Sequence, residues 1–138
     1  MADLNLEYFE RCIRTLTQAF SALQEQHEES PLYDIYRAAC VKEFEIILEQ
    51  SGKLLKKVLK PYFSSPKQVD QLVFKEMFRY AAKFNILTLE EVERWVVYRD
   101  NRNNTAHDYG EGFAETTLTL LPHFIQDAQR LCQAIKQQ

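Results

Sequence analysis

The sequence is poor in the residues that make tight turns, and it lacks long apolar runs. Its 138 residues include only three glycines and four prolines, too few for the many reverse turns of an all-β fold. No apolar run approaches the roughly 18 residues needed to cross a bilayer. Residues 1–7 lack the basic start and apolar centre of a secretion signal. We therefore expect an all-α protein located in the cytoplasm, with no membrane partner.

Several common catalytic motifs are also missing. The sequence has no glycine-rich phosphate loop, no HExxH, no clustered Cys/His set and no nucleophile elbow, which argues against nucleoside triphosphatases, zinc enzymes and serine hydrolases. Cys12, Cys40 and Cys132 are odd in number, far apart and set among apolar residues. They are predicted to be reduced core thiols rather than a disulfide or metal site. No metal and no cofactor are predicted.

The net charge of −3 conceals a strong segregation along the chain. Residues 1–51 carry ten acidic and four basic residues, whereas residues 52–102 carry six acidic and eleven basic residues. The middle part of the chain is therefore basic, which permits an RNA or nucleotide phosphate as a partner without the footprint of a dedicated DNA-binding protein. The acidic first third is expected to face solvent or a basic partner.

Helical spacing of apolar residues predicts five helices in one domain spanning residues 1–138. The first covers about 3–27, and the second runs from Pro31, behind the capping Ser30, to the stop at Pro61. The third covers 66–83 and begins with a capping box at 65–68. A second capping box at 88–91 starts the fourth at Leu89, and the fifth covers 113–136 with a kink at Pro122. Four long helices and one shorter helix predict an antiparallel up-and-down four-helix bundle with one additional short helix.

Four lysines crowd the last turns of the second predicted helix: Lys53, Lys56, Lys57 and Lys60. Cations at a helix C-terminus complement the helix dipole. The same four charges would also attract phosphate beside an active cleft, and the sequence leaves both interpretations open.

The densest group of catalytically capable side chains follows the start of the fourth predicted helix. Arg102 is a permanent planar cation suited to a phosphate oxygen, and His107 can exchange a proton near neutral pH. On a straight helix, residues five apart point about 140° away from each other. The weak helix formers at 103–105 would have to loosen the helix, or two copies would have to pair so that each motif lines a shared cleft.

Structural interpretations of the same residues remain open. His107 would suit a helix C-terminus, and Arg102 would pair with Asp100 or a neighbouring helix. Tyr98 and Tyr109 flank the motif, where they would stack a base or form part of the core. His27 and His123 lack comparable neighbours and are expected at the surface or at a helix kink.

The segment around Arg102 resembles a known family signature. Arg102 and Asn103, followed by His107 and Tyr109, resemble the RxxxxHxY motif of HEPN domains, in which a polar residue typically follows the arginine. Trp95 and residues 44–56 (FEIILEQSGKLLK) look like the branch described as nucleotidyltransferase substrate-binding proteins. The resemblance covers most of residues 3–137.

This resemblance implies an all-α bundle, usually a homodimer with the motifs at the dimer cleft. It implies the toxin half of a toxin–antitoxin pair whose partner is a minimal nucleotidyltransferase. In active members the arginine and histidine form a metal-independent endoribonuclease, so catalysis falls to Arg102 and His107, with Asn103 assisting. Tyr109 matches the position that some partner transferases modify with AMP. Arg99 and Tyr98 are the predicted substrate contacts.

Two further functions remain possible from the sequence. The chain would serve as a non-catalytic subunit that binds the nucleotidyltransferase and presents its substrate, as this branch has been described. It would alternatively be an orphan helical adaptor, because helical bundles host many functions.

Overall fold

The computed structural model describes residues 5–103 and 111–138, and within them every regular element is helical. The α-helices are α1 (Glu7–Gln24), α2 (Pro31–Leu59), α3 (Pro66–Asp70), α4 (Phe74–Lys83), α5 (Leu89–Asn103) and α6 (Glu111–Lys136), and a 3₁₀ turn at Lys60–Tyr62 follows α2. The predicted all-α class is confirmed. None of the helices in these ranges is long and apolar enough to cross a membrane.

Local sequence signals set the starts of α2 and α5. The Ser30 hydroxyl accepts a hydrogen bond from the Leu32 N–H at 3.1 Å, and Pro31 occupies the first helical position, where its missing N–H costs nothing. The predicted capping box of α5 is confirmed. The Thr88 N–H donates to Glu91 Oε1 at 2.8 Å, and the Glu91 N–H donates to Thr88 Oγ1 at 3.1 Å.

The prediction of one continuous helix over residues 66–83 was wrong, because the chain breaks between α3 and α4. Val73 adopts an extended backbone, and its N–H donates to Glu76 Oε1 at 2.9 Å, so a new helix starts behind it. The predicted capping box at the start of α3 is only half formed. Ser65 accepts from the Lys67 N–H, whereas Gln68 accepts from the Ser64 hydroxyl. The described residues therefore form six α-helices rather than five.

The turn between α4 and α5 depends on Asn85, whose φ is 62°. In this left-handed conformation the Asn85 N–H donates to the Ala82 carbonyl at 3.1 Å, and the Ile86 N–H donates to the Ala81 carbonyl at 2.8 Å. This pair of bonds is a Schellman motif, which satisfies the last carbonyls of α4. It reverses the chain without a glycine and directs α5 into the core.

The core lies between the long helices, with α1 against α2 and α6, α2 against α6, and α4 and α5 closing the remaining side. Trp95, Phe44 and Phe124 are fully buried at its centre, and the Phe44 and Phe124 rings lie 4.7 Å apart. Helix α6 continues through the exposed Pro122, where the predicted kink stays a prediction.

The three cysteines occupy the positions predicted for core thiols. Each is buried and free of a disulfide. Burial raises the pKa of all three thiols, and that of Cys40 rises to about 11. At neutral pH they are therefore packing groups and not nucleophiles.

Candidate functional site

Helix α5 carries the first part of the predicted motif to its last turn. Arg102 and Asn103 are the last two residues of α5, and the Asn103 side chain is exposed. His107 and Tyr109 lie outside the described residues. Arg102 and Asn103 are thus placed at one end of the bundle, and the predicted roles of all four residues stay predictions.

Arg102 extends from α5 toward α2. Its Nε lies 3.5 Å from Glu45 Oε2, and its side chain remains 41% exposed. An ion pair with this exposure is weak, because water screens both charges. The guanidinium therefore lies near Glu45 while part of the Arg102 side chain remains exposed to solvent.

An open groove of about 580 Å³ runs between α2 and the first turn of α6, and Glu45 forms part of its wall. At its outer end Arg37 Nη1 donates to Glu115 Oε2 at 2.8 Å, and the Tyr33 hydroxyl donates to the same oxygen at 3.0 Å. The Glu115 carboxylate raises the pKa of Arg37. These bonds tie α2 to the start of α6, the helix that follows residues 104–110 in the chain.

Helix α5 is anchored to α6 by polar contacts that are buried or partly buried. The Arg94 guanidinium donates two hydrogen bonds to the Asp127 carboxylate, both at 2.8 Å, and the Tyr98 hydroxyl donates to Asp127 Oδ2. Farther along, Asn101 Nδ2 donates to Thr117 Oγ1 at 2.9 Å. The turn that carries Arg102 is therefore a rigid platform.

The position of Tyr98 contradicts its predicted contact with substrate. Its side chain is 2% exposed, and its ring lies 4.9 Å from that of Phe124 at a right angle. Burial, followed by the hydrogen bond to Asp127, raises the pKa of Tyr98. Neither the ring face nor the hydroxyl is available to a base, so the alternative interpretation of Tyr98 as core is confirmed.

Asp127 and Arg94 were missed in the sequence, although Asp127 left a signal. It lies three residues after Phe124 and four before Leu131, within the apolar stripe of the last predicted helix. A carboxylate in that stripe must be buried and therefore requires a cationic or hydrogen-bonding partner. The sequence does not show which cation supplies it.

Arg99 opens onto a second groove, of about 410 Å³, between α2, α4 and α5. We call it the lysine groove, after four lysines at and just beyond the end of α2. They line it together with Arg99, Glu49 and three apolar side chains: Lys53, Lys56, Lys57, Lys60, Leu54, Phe74 and Met77. The Arg99 guanidinium carbon lies 4.9 Å from the centre of the Phe74 ring. The predicted lysine cluster and the predicted substrate residue Arg99 therefore share one surface.

The two remaining histidines and the possible metal ligands form no further candidate site among the described residues. His27 and His123 are exposed, as predicted. Within residues 5–103 and 111–138, no cluster of histidine, cysteine and carboxylate side chains could hold a metal ion.

Comparison with solved structures supports the fold. A Haemophilus influenzae structure, described as revealing the fold of a substrate binding domain of a nucleotidyltransferase, superposes with a TM-score of 0.82 at 24% identity, over 96% of this chain and 99% of that one. A crystal structure from Thermus thermophilus gives a TM-score of 0.70 at 24% identity, over 92% of this chain and 98% of that one.

Sequence comparison adds a curated relative and a family. "Probable ribonuclease HepT" of Haemophilus influenzae is 25% identical over 138 residues, which cover 97% of this chain and 93% of that protein. The family model described as nucleotidyltransferase substrate binding protein like matches residues 4–137. The family to which Trp95 and residues 44–56 pointed is thus matched along nearly the whole chain, and the chain belongs to the nucleotidyltransferase substrate binding protein like family.

Proposed function

We propose that the protein is the HEPN-type toxin of a toxin–antitoxin pair and acts as a metal-independent endoribonuclease through Arg102 and His107. The observation that carries the proposal is the placement of Arg102, in the last turn of a helix braced against α6, with 41% of its side chain exposed beside Glu45. A braced but accessible guanidinium is suited to a phosphoryl oxygen. The likeness to a protein named as a probable ribonuclease supports the same chemistry.

The proposed reaction is attack of the RNA 2′-hydroxyl on the adjacent phosphorus. The 2′-O–P bond forms and the P–O5′ bond breaks, so the products are a 2′,3′-cyclic phosphate and a free 5′-hydroxyl. His107 takes the proton from the 2′-hydroxyl, and the departing 5′-oxygen takes a proton from water. Arg102 stabilises the charge on the phosphoryl oxygens, and Asn103 assists with a hydrogen bond.

We further propose that two copies pair so that their motifs line a shared cleft. The angular separation of Arg102 and His107 on a straight helix motivates this arrangement. The partner is a minimal nucleotidyltransferase, which restrains the toxin by transferring AMP to Tyr109 or by covering the cleft.

A second candidate function is a non-catalytic subunit that binds a nucleotidyltransferase and presents its substrate. The family description favours it, as does the description of the Haemophilus influenzae structure. The lysine groove would then hold the phosphates of the presented nucleotide.

The deciding experiment is RNA cleavage by the purified protein in EDTA. We expect cleavage by the wild type and a loss of at least about 100-fold in His107→Ala and Arg102→Ala. His123→Ala and Arg79→Ala alter exposed residues of the same types and should cleave normally. Circular dichroism and thermal melts verify that each variant is folded.

Two results would count against the catalytic proposal. If the folded wild type leaves RNA intact and binds a co-expressed transferase, the non-catalytic subunit is the better account. If His107→Ala cleaves as fast as the wild type, the cleavage does not depend on His107 and the proposed mechanism is wrong.

A further inference from the structure

We propose that the lysine groove binds the sugar–phosphate backbone of single-stranded RNA and leads the strand to Arg102. This inference rests on the proposed function and deepens it, because it names the surface that holds the substrate away from the scissile phosphate.

The charges of the groove are available to a ligand. Lys53, Lys56, Lys57 and Lys60 recur at the three- and four-residue spacing of one helix face, over about 10 Å of α2. Among the described residues, the only carboxylate paired with any of them is Glu49, at 4.0 Å from Lys53, and both side chains are more than half exposed. Such a pair contributes little, so the row retains nearly its full positive charge.

Arg99 is held against an aromatic surface and not by a carboxylate. Its guanidinium lies over the Phe74 ring at 4.9 Å, and no ion pair to Arg99 is found within the described ranges. A cation on an aromatic face keeps its N–H groups free, which suits bidentate binding of a phosphate.

The ring beneath Arg99 is itself fixed. A Cβ at Gly52 would lie 3.2 Å from Phe74 Cδ2, so the missing side chain lets α4 approach α2 closely. The Phe74 ring packs against Phe78 in a tilted arrangement with ring centres 4.6 Å apart, and Phe78 stacks on Trp95 with ring centres 5.0 Å apart. The position of Arg99 is therefore connected to the centre of the core.

The row of cations continues to the motif. Arg99 lies one helical turn before Arg102, so the two side chains are neighbours on α5. Glu45 faces Arg102, and Lys60 ends the row 15 residues later, just after the last residue of α2, a distance of about 22 Å at the rise of an α-helix. This length favours consecutive phosphates of a strand over a single nucleotide. A strand cleaved at Arg102 must also continue beyond it on at least one side.

The test measures binding apart from cleavage. A short fluorescein-labelled 2′-O-methyl oligoribonucleotide lacks the attacking hydroxyl, and its binding is followed by anisotropy between about 50 and 200 mM salt. We expect Lys57→Gln/Lys60→Gln to bind about ten-fold more weakly and to lower the slope of log K against log salt by about 1.4, or 0.7 for each lost contact.

Two further variants serve as controls. Lys67→Gln/Lys136→Gln removes the same charge from exposed lysines outside the groove and should change the affinity less than about two-fold. Arg99→Lys keeps the charge but loses the planar fork, and should weaken binding several-fold with little change in slope.

The outcomes separate this inference from the proposed function. Equal losses of oligonucleotide affinity in the groove and control variants would overturn the groove as the RNA-binding surface. Wild-type affinity in the groove variants would overturn it as well. Tighter, groove-dependent binding of ATP than of the oligonucleotide would overturn the assignment to RNA. If any of these results is found while ordinary RNA is still cleaved, the proposed nuclease function stands without the groove. If binding depends on the groove but ordinary RNA is not cleaved, the groove is supported and the proposed nuclease function is ruled out.

Discussion

The hydroxyl of Tyr98 donates a hydrogen bond to the buried carboxylate of Asp127, which also accepts two bonds from Arg94. Tyr98 lies four residues before Arg102, so this contact fastens the turn below the motif arginine to α6. Tyr98, which was predicted from the sequence to contact the substrate, instead supports the motif from within the core.

We expect Tyr98→Phe to lower the free energy of unfolding by about 1.5–3 kcal/mol, because a buried carboxylate loses one of its donors. Urea unfolding followed by circular dichroism measures the loss. Tyr62→Phe is the matched control, since the Tyr62 hydroxyl bonds Gln138 at an exposed position; it should cost less than about 0.5 kcal/mol. Equal losses in the two variants would refute a special role for the Tyr98–Asp127 bond.

We expect Glu45→Gln to strengthen RNA binding two- to five-fold, because the carboxylate near Arg102 competes with phosphate. The salt slope should steepen by up to about 0.7. Anisotropy with the uncleavable oligonucleotide measures both quantities, and Glu25→Gln, at an exposed position after α1, controls for net charge. Weaker binding by Glu45→Gln would mean that Glu45 serves to orient Arg102.

We expect a homodimer at micromolar concentration. Sedimentation velocity or light scattering should give twice the mass of 16.3 kDa. The physical reason is the composite cleft proposed above, in which one copy alone does not bring Arg102 and His107 together. A protein that is strictly monomeric and still cleaves RNA would rule out the shared cleft.

We expect AMP to be added to Tyr109 on incubation with the cognate transferase and ATP. Intact-mass and peptide mass spectrometry should map one or more additions to that residue, and Tyr109→Phe should abolish them. Tyr8→Phe, at a tyrosine that is 53% exposed, should leave them unchanged. The added phosphodiester charge should weaken RNA binding by about 1–3 kcal/mol through competition for Arg102. Additions on other residues of an active pair would leave occlusion of the cleft as the mode of restraint.

We expect stability to fall as the pH rises from 9 toward about 11. Burial raises the pKa of Cys40 from 9.0 to about 11, so the unfolded chain loses this proton first and is favoured by alkali. Tyr98, whose pKa is also raised, extends the decline to higher pH. Urea unfolding across this range should give a shallower decline for Cys40→Ala than for the wild type. An identical decline would show that the Cys40 thiol contributes nothing to it.

Local signals in the sequence predicted most of the fold. The capping residues Ser30 and Thr88 lie beside the groups they cap, so neighbouring positions in the chain suffice to recognise them. The break at Val73 was not predicted because the helical spacing of apolar residues continues across it. The hydrogen bond that starts the new helix there is accepted by the Glu76 side chain. Periodicity reports which face is buried and not whether the backbone is continuous.

The site was harder to predict because its geometry depends on contacts between distant residues. Arg102 was identified from a short motif, but its direction toward Glu45 requires the packing of α5 near α2. Tyr98 was misassigned for the same reason: a tyrosine beside a motif has the same local sequence whether its ring faces a ligand or Phe124. The roles of His107 and Tyr109 await the experiments above.

The chain has a single tryptophan, and Trp95 is fully buried between Phe78 and Tyr98, with ring centres 5.0 and 5.5 Å away. An indole in this setting emits at a shorter wavelength than one in water, and a tyrosine this close passes excitation energy to it. The protein therefore contains an intrinsic fluorescent reporter two helical turns before Arg102. Through Phe78 and Phe74 the same indole is connected to Arg99, so its emission offers a label-free signal for detachment of α5 and for occupation of the lysine groove.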